Sequence, residues 1–109
     1  MENIKKEING LASDDQIKLW KNKHRIVKAI ELTDEGETFV GYFTRPDMEA
    51  MSAVAKVGKV DEMKAAEILF ENCWLGGAEI IKTDVALKMA VIGQLNLLVS
   101  SCVVDVKNL

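Results

Sequence analysis

A single histidine and two cysteines in 109 residues leave this chain short of metal ligands. A zinc site needs about four nitrogen or sulfur donors at suitable spacing, and His24 with the widely separated Cys73 and Cys102 does not supply them. The two cysteines form no Cys-x-x-Cys pair and no dense framework. Two reduced thiols in a cytosol are therefore expected, with one disulfide between Cys73 and Cys102 as the alternative. One proline and 7 glycines, against 49% hydrophobic and 28% charged residues, exclude a collagen-like or disordered chain. Positive charge is in the minority. The 14 Lys and Arg against 17 Asp and Glu give a net charge of −3, which offers no global attraction to nucleic acid or an anionic membrane. The N-terminal stretch lacks the apolar run of a signal peptide. The uncharged segment Met89–Val104 is shorter than the ~20 residues of a comfortable span and is diluted by Gln94, Asn96, Ser100 and Ser101, so it reads as a buried helix.

Catalytic signatures are missing as well. Gly76-Gly77 fits neither the P-loop nor the dinucleotide-fold glycine pattern, and Ser52, Ser100 and Ser101 lack the nucleophile-elbow context. A Cys73–His24 nucleophilic pair is formally available. Cys73, however, lies beside Phe70 and Trp74 on an apolar face, where a thiol behaves as a small hydrophobe. The carboxylates at Asp14-Asp15, Asp34-Glu35-Glu37 and Asp61-Glu62 fall at helix starts or in a turn, where they favour the helix dipole or solvate a loop. The expectation is a protein that is not an enzyme and uses neither cofactor nor metal.

What is present reads as one α+β domain: a short N-terminal helix, a β-hairpin, and a three-helix cluster packed on it. Residues 1–12 are expected to be a flexible leader and residues 13–109 the domain. Ser13, with Gln16 three residues on, is a helix-capping signature, and Ile17 and Trp20 share one face of the helix that follows. Residues 25–32 and 38–44 read as strands, with Gly36 in the intervening turn. Pro46 ends the hairpin and opens a helix over 47–57 that carries Met48, Met51 and Val54. Asp61 caps a helix from Glu62 to Trp74, closed by Gly76-Gly77. A last helix is expected over 85–104. Phe70 and Trp74 are expected in the core, and the hairpin is left with two open edges.

The last helix is apolar over most of its circumference. Val85, Met89, Ile92, Leu95, Val99 and Cys102 mark one side, and Leu87, Val91, Leu98 and Val103 widen it. Such a helix must be surrounded, by its own domain or by a second copy or another protein. The basic run Lys21–Lys28, with Trp20 and Tyr42 nearby, is read as a solvated helix end rather than a nucleic-acid site. Arg45, between hairpin and helix, is placed to bind carboxylates of its own chain or of a partner.

The order helix, hairpin, aromatic-x-Arg-Pro, helices resembles the tail assembly chaperones of long-tailed bacteriophages and prophages. The resemblance rests on Trp20-Lys21, on Gly41-Tyr42-Phe43-Thr44-Arg45-Pro46-Asp47, and on the stretch from Ala65 to Gly77, and it covers residues 14–106. The segment Cys73-Trp74-Leu75-Gly76-Gly77 is similar to uncharacterised prophage-type proteins of Bacteroidetes. The resemblance implies a non-enzymatic cytoplasmic chaperone that binds an apolar tape measure protein and hands it to tail tube subunits. Candidate partner-binding residues are Arg45, Met48, Met51, Leu87, Val91 and Leu98, with a homo-oligomer also expected. The alternative is a virion structural subunit of head–tail connector or tail terminator type. A nucleic-acid-binding accessory protein ranks below both.

Overall fold

The computed structural model describes residues 7–109, and its centre is a strand with both faces covered. Strand β3 (Glu37–Phe43) has every residue after Glu37 buried, and its neighbours account for this. Strand β2 (Lys28–Asp34) pairs antiparallel along one edge, from Lys28 opposite Phe43 to Asp34 opposite Glu37. Along the other edge two short strands lie end to end. Strand β1 (Ile8–Asn9) runs parallel beside Thr38 and Phe39, and β4 (Trp74–Gly77) runs antiparallel beside Gly41–Phe43. The result is a mixed four-stranded sheet rather than an isolated hairpin. One edge of β3 expected to be open is thus covered.

The hairpin turn is tighter than the sequence suggests. Glu35 and Gly36 take φ of 49° and 79°, so two left-handed residues join the strands directly and pairing continues to Asp34 and Glu37. That conformation matches the right-handed twist of the flanking strands. The leader also needs correction. Ile8 and Asn9 belong to the sheet, and the Asn9 amide donates to the Thr38 carbonyl at 3.1 Å. Residues 1–6 lie outside the described residues.

Helix α1 (Asp14–Lys23) begins as expected, with Ser13 Oγ accepting from the Gln16 N–H at 3.1 Å. It lays Trp20 against Tyr42, ring centroids 5.2 Å apart, on the Thr38/Val40/Tyr42 side of the sheet. The opposite side, Phe39, Gly41 and Phe43, receives the other helices. These are α2 (Met48–Gly58), α3 (Glu62–Cys73), α4 (Ile80–Thr83) and α5 (Val85–Val99). Asp47, Asp61 and Asp84 cap α2, α3 and α5 by accepting the N–H three residues on. Each such cap is worth about 1 kcal/mol.

Two helix ends differ from expectation. Gly76-Gly77 does not close α3, which gives way at Trp74 to β4. The last helix stops at Val99 rather than Val104, where the hydroxyls of Ser100 and Ser101 turn back to the carbonyls of Asn96 and Leu98. The core joins Phe39 and Phe43 to Leu69, Phe70 and Cys73 of α3, to Ile81, and to Leu87, Val91, Ile92, Leu95 and Leu98 of α5. Phe70 is buried as expected, while Trp74 is half-buried and packs on the rim of this cluster. Among the described residues, no helix is long and apolar enough to cross a membrane.

Candidate functional site

Among the described residues, Arg45 meets no carboxylate. Its Nε donates to the Leu98 carbonyl at 3.2 Å and a terminal nitrogen donates to Ser101 Oγ at 2.5 Å. A guanidinium at the carbonyl end of a helix satisfies an orphan acceptor and complements the negative pole. Arg45 therefore fixes where α5 ends, and this interaction engages two of its nitrogens.

Of the other candidate contact residues, Met48 stands 84% exposed on α2, whereas Met51 is half-buried against the core. Leu87, Val91 and Leu98 are buried in the core cluster, on a helix that packs on β2, α3 and α4. The expectation that Leu87, Val91 and Leu98 face a partner is thus overturned, while Ile92 and Leu95 are buried with them. The stripe Leu87, Val91, Leu95, Leu98 at i, i+4, i+8, i+11 enters the core, and Val85, Met89 and Leu97 are exposed. Both stripes are apolar, so hydropathy could not choose between them.

The exposed stripe continues onto α3. Met63, Val85, Met89 and Ile92 line a small pocket of about 60 Å³, flanked by Glu67 and Lys88. Past Ile92 the same valley opens into a shallow groove of about 230 Å³ lined by Val54, Ala66, Leu69 and Asn96, with Glu62 at its edge. Met63 and Met89 are 54% and 39% exposed, so two flexible thioethers form its surface. Lys88 lies over the Phe70 ring at 5.2 Å and Lys82 over the Trp74 ring at 5.7 Å, bringing two cations to the aromatic cluster. Residue for residue, this is an adaptable apolar strip with charged margins. Met63 escaped the sequence reading although it lies on the α3 face that carries Ala66 and Phe70.

A second groove, about 350 Å³, is lined by Lys23, His24, Arg25 and Arg45 together with Thr44, Pro46 and Asp47. The aromatic partners proposed for it are not available together, because Tyr42 is only 6% exposed and covered by Trp20. Among the described residues, no three His, Cys, Asp or Glu side chains converge on one point. Comparison with protein-family models, curated proteins and solved structures finds no match to this chain.

The two thiols are free and differ sharply in setting, Cys73 buried and Cys102 exposed. Burial pushes the Cys73 thiol from 9.0 up to about 11. It is held as the protonated, unreactive form at neutral pH. An acid whose pKa rises on folding binds its proton more tightly in the native state. Its stabilising contribution is whole below 9.0 and fades as pH climbs toward about 11. Cys73→Ala is expected to flatten the alkaline part of a stability-versus-pH profile measured with urea; an unchanged slope would count against this assignment. Ellman's reagent should titrate Cys102 alone in the folded protein and both thiols in denaturant.

Proposed function

We propose that this chain is a non-enzymatic assembly factor of the tail-assembly-chaperone type, binding an apolar segment of a protein such as the tape measure protein in the bacterial host cytoplasm. The observation that carries the reading is the apolar strip between α3 and α5, with Met63, Val85 and Met89 exposed beside a groove that runs past Ile92. A chaperone must bind long, varied apolar sequence and release it. A shallow strip with few directional polar groups and flexible methionines suits that task, because it fixes no register on the partner. The sequence resemblance over Gly41–Asp47 and Ala65–Gly77 points the same way.

The test is calorimetric titration of the purified protein with a tape measure segment. Met63→Glu combined with Met89→Glu should weaken binding at least about tenfold, or 1.4 kcal/mol. Circular dichroism would verify that the double variant stays folded, since both side chains are substantially exposed. No measurable binding by the parent protein, or equal binding by parent and variant, would remove this reading. A second reading, a structural subunit of the virion, draws on the exposed segment 100–109. Finding the protein in purified mature particles by mass spectrometry would favour it over the chaperone.

A further inference from the structure

Beyond Val99 the chain has the composition of a strand and no sheet to join. Residues 100–109 form neither helix nor strand and are exposed throughout, with Val103 at 97%, Val104 at 76% and Val106 at 85%. Three β-branched residues among Cys102-Val103-Val104-Asp105-Val106-Lys107 favour extended backbone. Alternation sorts this segment into an apolar row, Cys102, Val104 and Val106, and a mixed row, Val103, Asp105 and Lys107. The ion pair between Asp105 and Lys107, at 3.0 Å, brings these alternate side chains together on one side, as a strand would. The root of the segment is pinned by Arg45 at Leu98 and Ser101.

The same molecule carries a vacant edge. Among the described residues, the outer edge of β2 pairs with no strand. The two-residue turn makes Asp34 and Glu37 a hydrogen-bonded pair, so Leu32, Ile30 and Lys28 also aim their N–H and C=O groups at β3. Ala29, Glu31 and Thr33 then aim theirs outward. The 3.1 Å contact between the Thr33 and Thr38 hydroxyls fits this phase, because non-hydrogen-bonded pairs hold their side chains closer. Three donors and three acceptors along a seven-residue strand form a template for an added strand.

We propose that the Cys102–Lys107 segment of one copy adds as a strand to the outer edge of β2 in a second copy. Six extended residues span about 20 Å, close to the length of β2. The apolar row Cys102, Val104 and Val106 would extend the core-facing row Ile30 and Leu32. The row carrying Asp105 and Lys107 would stay on the outer side with Glu31. Both halves of the joint exist unjoined within one chain, which makes a second copy the occupant. The contact is heterologous, a segment into an edge. It closes as a reciprocal pair or a ring, or propagates as a chain.

Three proteins test this by light scattering at several concentrations. The parent should exceed its 12.1 kDa monomer mass and rise with concentration. Val104→Lys with Val106→Lys removes the donor row from exposed side chains and should give a monomer. Glu31→Pro removes one outward N–H while sparing the β3 ladder, at an edge position of the kind that tolerates proline, and should also give a monomer. Mixing the two variants restores one intact donor and one intact edge, so a one-to-one pair should form and grow no further. Independently, Cys102 of the parent should react several-fold more slowly with a thiol reagent at high protein concentration than at low. A parent that stays monomeric, a parent mass unaffected by the donor substitutions, or a mixture with no pair would each overturn the proposal.

Discussion

Phe43→Ala is expected to lower the free energy of unfolding by about 3–5 kcal/mol, a large part of the 5–15 kcal/mol typical of a domain. Phe43 is fully buried at the end of β3 and meets Phe70 and Trp74 edge-on, with centroids 5.8 Å and 5.5 Å away. Phe70 and Trp74 in turn stack at 5.5 Å, so the three rings form one cluster joining the sheet to α3 and β4. The Phe43 ring also leans over Gly41, where an added Cβ would meet its Cε2 at 2.8 Å. Truncation removes the centre of this arrangement. The void cannot close by a small shift, because the backbone on either side is tied down, with Thr44 N–H donating to the Cys73 carbonyl at 2.9 Å. Trp74→Ala should cost less, since that ring is half-buried at the rim. Urea denaturation of both variants measures the ordering. A Phe43→Ala loss below about 1 kcal/mol would mean that the cluster repacks.

Features encoded locally were legible in the sequence, and those borrowed from elsewhere were not. Ser13 and Asp61 announce their helices because a cap is a matter of a few adjacent residues. The hairpin is likewise a local object. Strands β1 and β4, at two and four residues, are too short to show a period and exist because β3 offers them an edge. Their best signals were glycines: Gly10 and Gly77 both take positive φ beside neighbouring backbone. Helix α5 ends at Val99, short of the expected Val104, and no glycine or proline marks that end. The stop comes from two serines and from Arg45, which lies 53 residues away from Leu98 in sequence.

The candidate site shows the same division. Met48 and Met51, expected together on one partner-binding face, part company: Met48 is exposed while Met51 packs against the core. Leu87, Val91 and Leu98, expected at a partner surface, lie inside, because α5 carries apolar residues on both sides. Which side turns inward is settled by what α5 packs on, namely β2, α3 and α4. A helix with two apolar sides and one buried face leaves apolar surface outside whichever way it rotates. The sequence leaves open whether α5 is enclosed or partly exposed, and its packing leaves Val85, Met89 and Leu97 outside.

Gly77→Ala should destabilise the protein by about 3 kcal/mol or more, the sum of backbone strain and lost pairing at one point. Gly77 has φ of +134°, and a Cβ there would lie 2.4 Å from the Val40 carbonyl oxygen and 2.8 Å from the Gly41 Cα. Both obstacles are backbone of the central strand, so no side chain can rotate aside. β4 would have to lift from β3. That also strains the bond from the Ala78 N–H to the Val40 carbonyl, 2.9 Å, and disturbs Gly10, whose own Cβ position falls 2.2 Å from the Ala78 nitrogen. One methyl group would then loosen both strands on the β1/β4 edge, and with them the approach to α4 and α5. Gly93→Ala on the outer side of α5 supplies the contrast, because its Cβ would meet nothing within 4 Å. In a helix interior that change should stabilise by about 0.5–1 kcal/mol. Denaturant titration of the two variants should give shifts of opposite sign. If Gly77→Ala is instead as stable as the parent, β4 does not lie against β3 in solution, and the packing that turns Met63, Val85 and Met89 outward loses its support.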